Sequence, residues 1–238
     1  MISGRRVLAV VPARGGSKGI PLKNLKEIGG RSLVALAGDV AIKVPEIDRR
    51  IVSTDHDKIV AAAIDAGLEA PFLRPEDISG DRIGDWDVLS HALISMESLD
   101  EVTYDIVVML QPTSPLRRVS DVSETIKMLV EKNLDAVWSV SITDSKAHPL
   151  KQLVIRDARV DYWDAKGANI IARQQLEPVY HRNGVAYAIT RSCLLEQGSI
   201  KGALTGAYVV EGTQISIDTE WDIELIEFAI SRGLVKLT

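Results

Sequence analysis

Two short stretches lack the polar residues that would let either side face water. Residues 7–11 read VLAVV, and residues 106–110, inside YDIVVMLQ, read IVVML. An unbroken apolar run of this length fits a strand covered on both faces, the pattern of a parallel sheet sandwiched between helices. The segments between and around such runs have helical spacing. Ser32 precedes Leu33, Leu36, Ala37, Val40 and Ala41, a helix behind a good N-cap. Ile59, Val60, Ala63 and Ile64 form a second stripe, stopped by Gly67, and Val88, Leu89, Ala92, Leu93 and Met96 form a third. A further helix is expected over 120–132. RIVSTD (50–55), LEAPFL (68–73, an edge because of Pro71) and AVWSVS (136–141) complete the early strands. The expected class is therefore α/β, with a mainly parallel central sheet and helices on both faces.

The alternation breaks after Ser141. KQLVIRDARVDYW (151–163) reads as a hairpin turning at Asp157, Ala158 and Arg159, and an irregular polar stretch follows through Asn183. We take about 142–182 as a lobe inserted into a single domain spanning 1–238. Strand patterns return in VAYAI (185–189), AYVV (207–210) and QISID (214–218). The last helix is expected from Thr219, with Asp222 completing a capping box and Trp221, Leu225 and Phe228 on one face.

A net charge of −5 argues against a nucleic-acid or anionic-membrane surface. Cys193 is the only cysteine, beside Leu194 and Leu195, and reads as an inert core thiol. The N-terminal apolar run is too short for a signal-peptide core, and no run reaches transmembrane length, so a cytoplasmic protein is expected.

One segment departs from the acidic average. PARGGSKGIPLKN (12–24) leaves the first strand with Arg14, Lys18 and Lys23, three glycines and no acid. Ligands of open parallel sheets bind beyond the carboxyl ends of the strands, and glycine-flanked N–H groups with clustered cations suit phosphate oxygens. A solvated basic turn is the plain alternative. Neither G-x-x-x-x-G-K-[ST] nor G-x-G-x-x-G is present, so neither a P-loop nor a dinucleotide fingerprint explains the segment. Thr54 and Asp55, Arg74, and Gln111, Thr113 and Ser114 between Pro112 and Pro115 end other strands on the same rim. Ser216 and Asp218 in SIDTE share a face if 214–218 is a strand, and Asp218 suits either a Mg²⁺ ion carried with phosphates or helix capping alone. The four histidines show no metal spacing, and His56 and His91 read as ordinary surface or helix residues.

Taken together, PARGGSKGIPLKN, IVSTD, FLRPEDI, LQPTSPLR, HPLK, RQQLEPVYHRNGVAY and SIDTE resemble the acylneuraminate cytidylyltransferases, or CMP-sialic acid synthetases, in order and over nearly the whole chain. The ketodeoxyoctonate cytidylyltransferases differ in the first loop, where their STRLPGKPL character is missing here. The resemblance implies a Rossmann-like nucleotidyltransferase fold with a small inserted dimerisation lobe, a homodimer, and Mg²⁺ as cofactor. The implied reaction joins CTP to a nonulosonic, sialic-acid-like sugar acid, giving a CMP-sugar and pyrophosphate. Arg14, Gly15, Ser17, Lys18 and Asn24 would then surround CTP, Arg74 would read cytosine, and Gln111 would lie near ribose and sugar. Lys23, with Arg14, Lys18 and Asp218, would carry the catalysis, Lys23 first in line for the developing charge. Lys151 and Arg173 would reach the sugar carboxylate from the partner subunit, and Tyr180 and Asn183 would line the sugar pocket. The family shows two acids, as in SIDIDTE; here Ser216 stands in place of the first, leaving Asp218 with Ser216 as the implied metal site. A CTP- or CMP-sugar-binding relative without turnover, or transfer to a different sugar, are the competing readings.

Overall fold

The computed structural model describes all residues, Met1–Thr238. Along the chain lie β1 (Val7–Pro12), β2 (Glu27–Ile28), β3 (Arg31–Ser32), α1 (Leu33–Ala41), β4 (Arg49–Ser53), α2 (Asp57–Asp65), α3 (Asp85–Asp100), β5 (Ile106–Met109), α4 (Val119–Glu131), β6 (Ala136–Ile142), β7 (Leu153–Arg156), β8 (Arg159–Tyr162), β9 (Tyr180–Thr190), α5 (Arg191–Leu195), β10 (Thr205–Val209) and α6 (Glu220–Ser231). Six strands form the main sheet in the order β10-β6-β9-β5-β1-β4. β1 runs parallel to β4 and β5, and β10 parallel to β6, while β9 is antiparallel to both its neighbours.

The apolar runs are buried on both faces, as their lack of alternation requires. Val7, Ala9 and Val11 join Ile106 and Val108 in one core with α1, α2 and α4. Leu8 and Val10 join Val107 and Met109 in a second core with α3 and α5. A third, smaller cluster pins the loops at the carboxyl end of the sheet. Ile20 from the basic segment and Ile217 from SIDTE pack with Leu33, Leu116 and Ile226. These loops are anchored to the core by buried side chains within them.

The caps on α1 and α6 follow the sequence: the Ser32 hydroxyl accepts from Ala35 N–H, and Thr219 and Asp222 form a reciprocal box. Hairpin β7–β8 turns on two residues, Asp157 and Ala158, both left-handed at φ 49° and 61°, the pairing that matches the strand twist. Cys193 is buried, and burial pushes its thiol up to about 11.

Two expectations fail. LEAPFL is not a strand: only Glu69 bridges to β4, and Pro71, lacking an N–H, ends the pairing. QISID is not a strand either, being held through Ile217 N–H to Thr113 O (2.9 Å) and the burial of Ile217. On α6, Trp221, Leu225 and Phe228 do share one face, which is the exposed one; the buried residues are Ile226 and Ala229, with Ile223 and Ile230 partly covered. Both stripes fit a 3.6-residue period, and spacing alone does not choose between them. Residues 143–179 run outside the main sheet between β6 and β9 and carry the β7–β8 hairpin.

Candidate active site

A cleft of about 400 Å³ opens beyond the carboxyl ends of β1, β4 and β5. Arg14, Ser17, Lys23, Asn24, Arg74, Gln111, Ser216 and Asp218 line it, so residues from the two ends of the chain, Arg14 and Asp218 among them, converge there.

The basic loop is braced from within. Ala13 N–H donates to Ser53 O, and the buried Asn24 amide donates to Arg14 O at 3.0 Å. Gly15 N–H donates to Asp55 Oδ1 at 2.7 Å, and a side chain at Gly15 would strike His56, the N-cap of α2. The N–H of Gly15 is therefore engaged by a carboxylate.

The cations do find counter-charges, though from distant segments. Arg14 Nη1 meets Asp81 Oδ1 at 2.5 Å and Lys18 Nζ meets Asp81 Oδ2 at 2.7 Å. Lys23 Nζ meets Asp218 Oδ1 at 3.0 Å, and Lys26 meets Glu220 at 3.1 Å. Hydrogen bonds from Lys18 and then Arg14 hold the Asp81 carboxyl below the usual carboxylate range. Lys23 is the enclosed member, 17% exposed against 82% for Lys18, which sits at the rim.

Arg74 is buried at the head of the cleft. It donates through Nε to Ser53 Oγ (3.0 Å) and through Nη2 to Ser53 O. Burial pushes it down to about 10, with Asp55 opposing and Arg14 adding, so it remains a cation at neutral pH. On the floor, the Gln111 carboxamide makes no hydrogen bond within the protein, whereas its backbone is held on both sides: N–H to Gly184 O (3.2 Å), and O from Arg117 Nη2 (2.6 Å). Asp81 and Asp85 also line the cleft, and sequence reasoning missed both. Burial pushes the Asp85 carboxyl up, with Arg182 opposing. The only signal for Asp81 is its place in a glycine-flanked stretch, GDRIG, just past FLRPEDI.

The remaining predicted residues lie elsewhere. Lys151 and Tyr180 are exposed outside the cleft, and Arg173 lines a separate depression of about 310 Å³ with His148 and Val179. Asn183 is buried with its amide engaged: Oδ1 accepts from Ser139 Oγ and Val185 N–H, and Nδ2 donates to Ser141 Oγ. Its side chain faces the interior of the sheet junction.

No three His, Cys, Asp or Glu side chains converge as a resident metal cage. Ser216 Oγ lies 3.4 Å from Asp218 Oδ2, so the two share a face even without a strand. One carboxylate and one hydroxyl fit a Mg²⁺ ion that keeps most of its water and arrives with phosphates.

The family model described as Cytidylyltransferase matches residues 8–212, from β1 through β10. The chain belongs to the cytidylyltransferase family. As such it is a CTP-dependent nucleotidyltransferase. This cytidylyltransferase is 29% identical to a CMP-N,N′-diacetyllegionaminic acid synthase of Legionella pneumophila, over 98% of this chain and 97% of the relative. It is 30% identical to the enzyme of the same name from Campylobacter jejuni, over 94% and 95%. Among solved structures, CMP:2-keto-3-deoxy-manno-octonic acid synthetase complexed with CTP superposes with a TM-score of 0.70 at 18% identity, covering 96% of this chain and 99% of that one. That likeness establishes the fold. No helix of the cytidylyltransferase is long and apolar enough to cross a membrane.

Proposed function

We propose that this cytidylyltransferase transfers CMP from CTP to the anomeric hydroxyl of a nonulosonic acid, releasing pyrophosphate. The observation that carries the reading is the meeting of Arg14, Lys18 and Lys23 with only two carboxylates at the carboxyl end of β1. An incoming triphosphate is the stronger partner for all three. It would take Arg14 and Lys18 from Asp81 and Lys23 from Asp218, with the forked guanidinium of Arg14 suited to two oxygens at once. Arg74, fixed and charged, stands at the β4 end of the cleft for the base, and Gln111 offers a free carboxamide on the floor for the sugar.

The anomeric oxygen bonds to the α-phosphorus, the α–β bridging oxygen leaves with pyrophosphate, and the hydroxyl proton is released. Charge grows on the phosphoryl oxygens, and catalysis is positioning plus electrostatic stabilisation. Lys23, the enclosed cation, stabilises that charge. A Mg²⁺ ion held by Asp218, with Ser216 orienting one of its waters, would supply further neutralisation when bound. Ser216 also favours a second reading, a relative that binds CTP with little turnover. A rate that responds to Mg²⁺ and falls on loss of Asp218 rejects it.

Lys151 and Arg173 lie outside the cleft, so their role as carboxylate clamps requires a partner subunit. Support for a homodimer comes from apolar side chains left in water around the hairpin: Leu153, Ile155, Val160, Trp163 and Ile171 are all more than half exposed. Dependence on CTP supports a cytoplasmic enzyme. The test is pyrophosphate release from CTP with N-acetylneuraminic, N,N′-diacetyllegionaminic and pseudaminic acids in turn. Release with one or more of them is expected, and none with any of them contradicts the proposal.

A further inference from the structure

Arg117 ends LQPTSPLR, yet nothing in the proposed chemistry uses it. It is the largest fully buried side chain of the protein, 1% exposed. A buried guanidinium needs acceptors on every side. The acid that most affects it, Asp121, is bonded to Arg118 instead. Arg117 meets three backbone carbonyls: Nε donates to Val185 O, and Nη2 to Gln111 O (2.6 Å) and Gly184 O (3.1 Å).

Those carbonyls lie where the sheet ladder is broken. β9 pairs with β6 at Tyr187↔Trp138 and again at Arg182↔Val140, so five steps on one strand face two on the other. The residues between bulge, and polar side chains fill the gap. Ser114 Oγ donates to Asn183 O, and Gly184 N–H donates to the Tyr187 hydroxyl. Gly184 takes φ +70°, and a Cβ there would stand 2.7 Å from Ser114 Oγ and closer still to Gln111 Oε1. The Gln111 side chain therefore lies across a position where only glycine leaves room, while its carbonyl is held by Arg117.

We propose that Arg117 and Gly184 are positioning residues that aim the Gln111 carboxamide into the cleft at the sugar acid. The proposal rests on the reading of Gln111 as a contact to that acid. Arg117 fixes the backbone of Gln111 from below and Gly184 clears the path of its side chain. Arg117 makes no hydrogen bond to the basic loop or to Arg74, and a Cβ at Gly184 would meet Gln111 and Ser114 first, so the proposal places their effect at the sugar acid rather than at the triphosphate.

The experiment measures KM for CTP and for whichever of the three acids is turned over, by pyrophosphate release. The enzymes are wild type, Gln111→Ala, Arg117→Lys, Gly184→Ala, and the two doubles that combine Gln111→Ala with each of the others. A displacement of the order of 1 Å costs up to about 10²-fold. Arg117→Lys and Gly184→Ala are each expected to raise the acid KM about tenfold or more, with the CTP KM within about twofold of wild type. In the Gln111→Ala background neither is expected to raise it further. Should Arg117→Lys fail to fold, Gly184→Ala and its double carry the test from the other side of Gln111. Equal rises in both KM values, or full additivity in the doubles, overturn the positioning role. An unchanged acid KM in Gln111→Ala itself overturns the placement of Gln111 against the acid, and the inference with it.

Discussion

Lys23 is held 3.0 Å from Asp218 and is largely enclosed, while Lys18 sits in solvent. The difference sets their expected contributions. A preorganised charge in an enclosed site is worth about 2.7–4 kcal/mol in the transition state. Lys23→Ala is expected to lose about 10²–10³-fold in kcat with an unchanged circular-dichroism spectrum; near wild-type turnover would remove Lys23 from the chemistry. Lys18→Ala is expected to act on CTP affinity more than on kcat. Asp81 gives a spectroscopic reading of the same exchange. Its folded-state titration is depressed by Lys18 and Arg14. The pairing is therefore fully present above the ordinary carboxylate range and is lost only as pH falls through the depressed value. Carboxyl NMR should find Asp81 titrating low in the free enzyme and moving upward when CTP takes its two cations. No movement on saturation with CTP would mean that the triphosphate lies elsewhere. Ser216 leaves a single carboxylate at SIDTE, so Ser216→Asp is expected to lower the Mg²⁺ concentration needed for half-maximal rate.

At the scale of elements, α6 is set by one reciprocal cap. Thr219→Ala removes the acceptor for Asp222 N–H and is expected to cost about 1 kcal/mol by urea denaturation. Because Asp218 immediately precedes that cap, the variant should also weaken the response to Mg²⁺; unchanged stability and Mg²⁺ response would separate the cap from the site. The elements that could be read from sequence were those whose signal is local: IVVML and VLAVV as two-faced strands, Ser32 and Thr219 as caps, and a hairpin turn at 157–159, of which Arg159 proves to be the first residue of β8. Those that could not depend on what lies opposite. LEAPFL has strand-like residues but a proline where the ladder needs a donor. QISID gains its fixed position from one hydrogen bond and the burial of Ile217. The same limit applied within the site. Arg14, Lys23, Asn24 and Gln111 reach the rim because they follow β1 and β5, whereas Arg74, Ser216 and Asp218 reach it from segments that are not strands, and Asp81 was hidden because an ion pair across 63–67 positions leaves no periodicity.

For the whole molecule, the question is whether one subunit holds a complete site. The cleft gathers the residues proposed to hold the nucleotide, while Lys151 and Arg173 stand away from it. A dimer formed through the hairpin is expected in sedimentation at micromolar concentration. Ile155→Asp with Trp163→Asp should give a folded monomer with a sharply raised acid KM. A wild-type monomer that turns over normally would place all the necessary groups in one chain.

The central claim is that the loop after β1 grips the triphosphate of CTP. The most direct measurement is calorimetric titration of CTP and of CMP, with magnesium, into wild type and into Arg14→Gln/Lys18→Gln. CTP is expected to bind wild type with an affinity that falls as salt is raised and drops at least about tenfold in the double variant, while CMP is affected much less. Equal CTP affinity in the two proteins, or no binding heat at all, would contradict it.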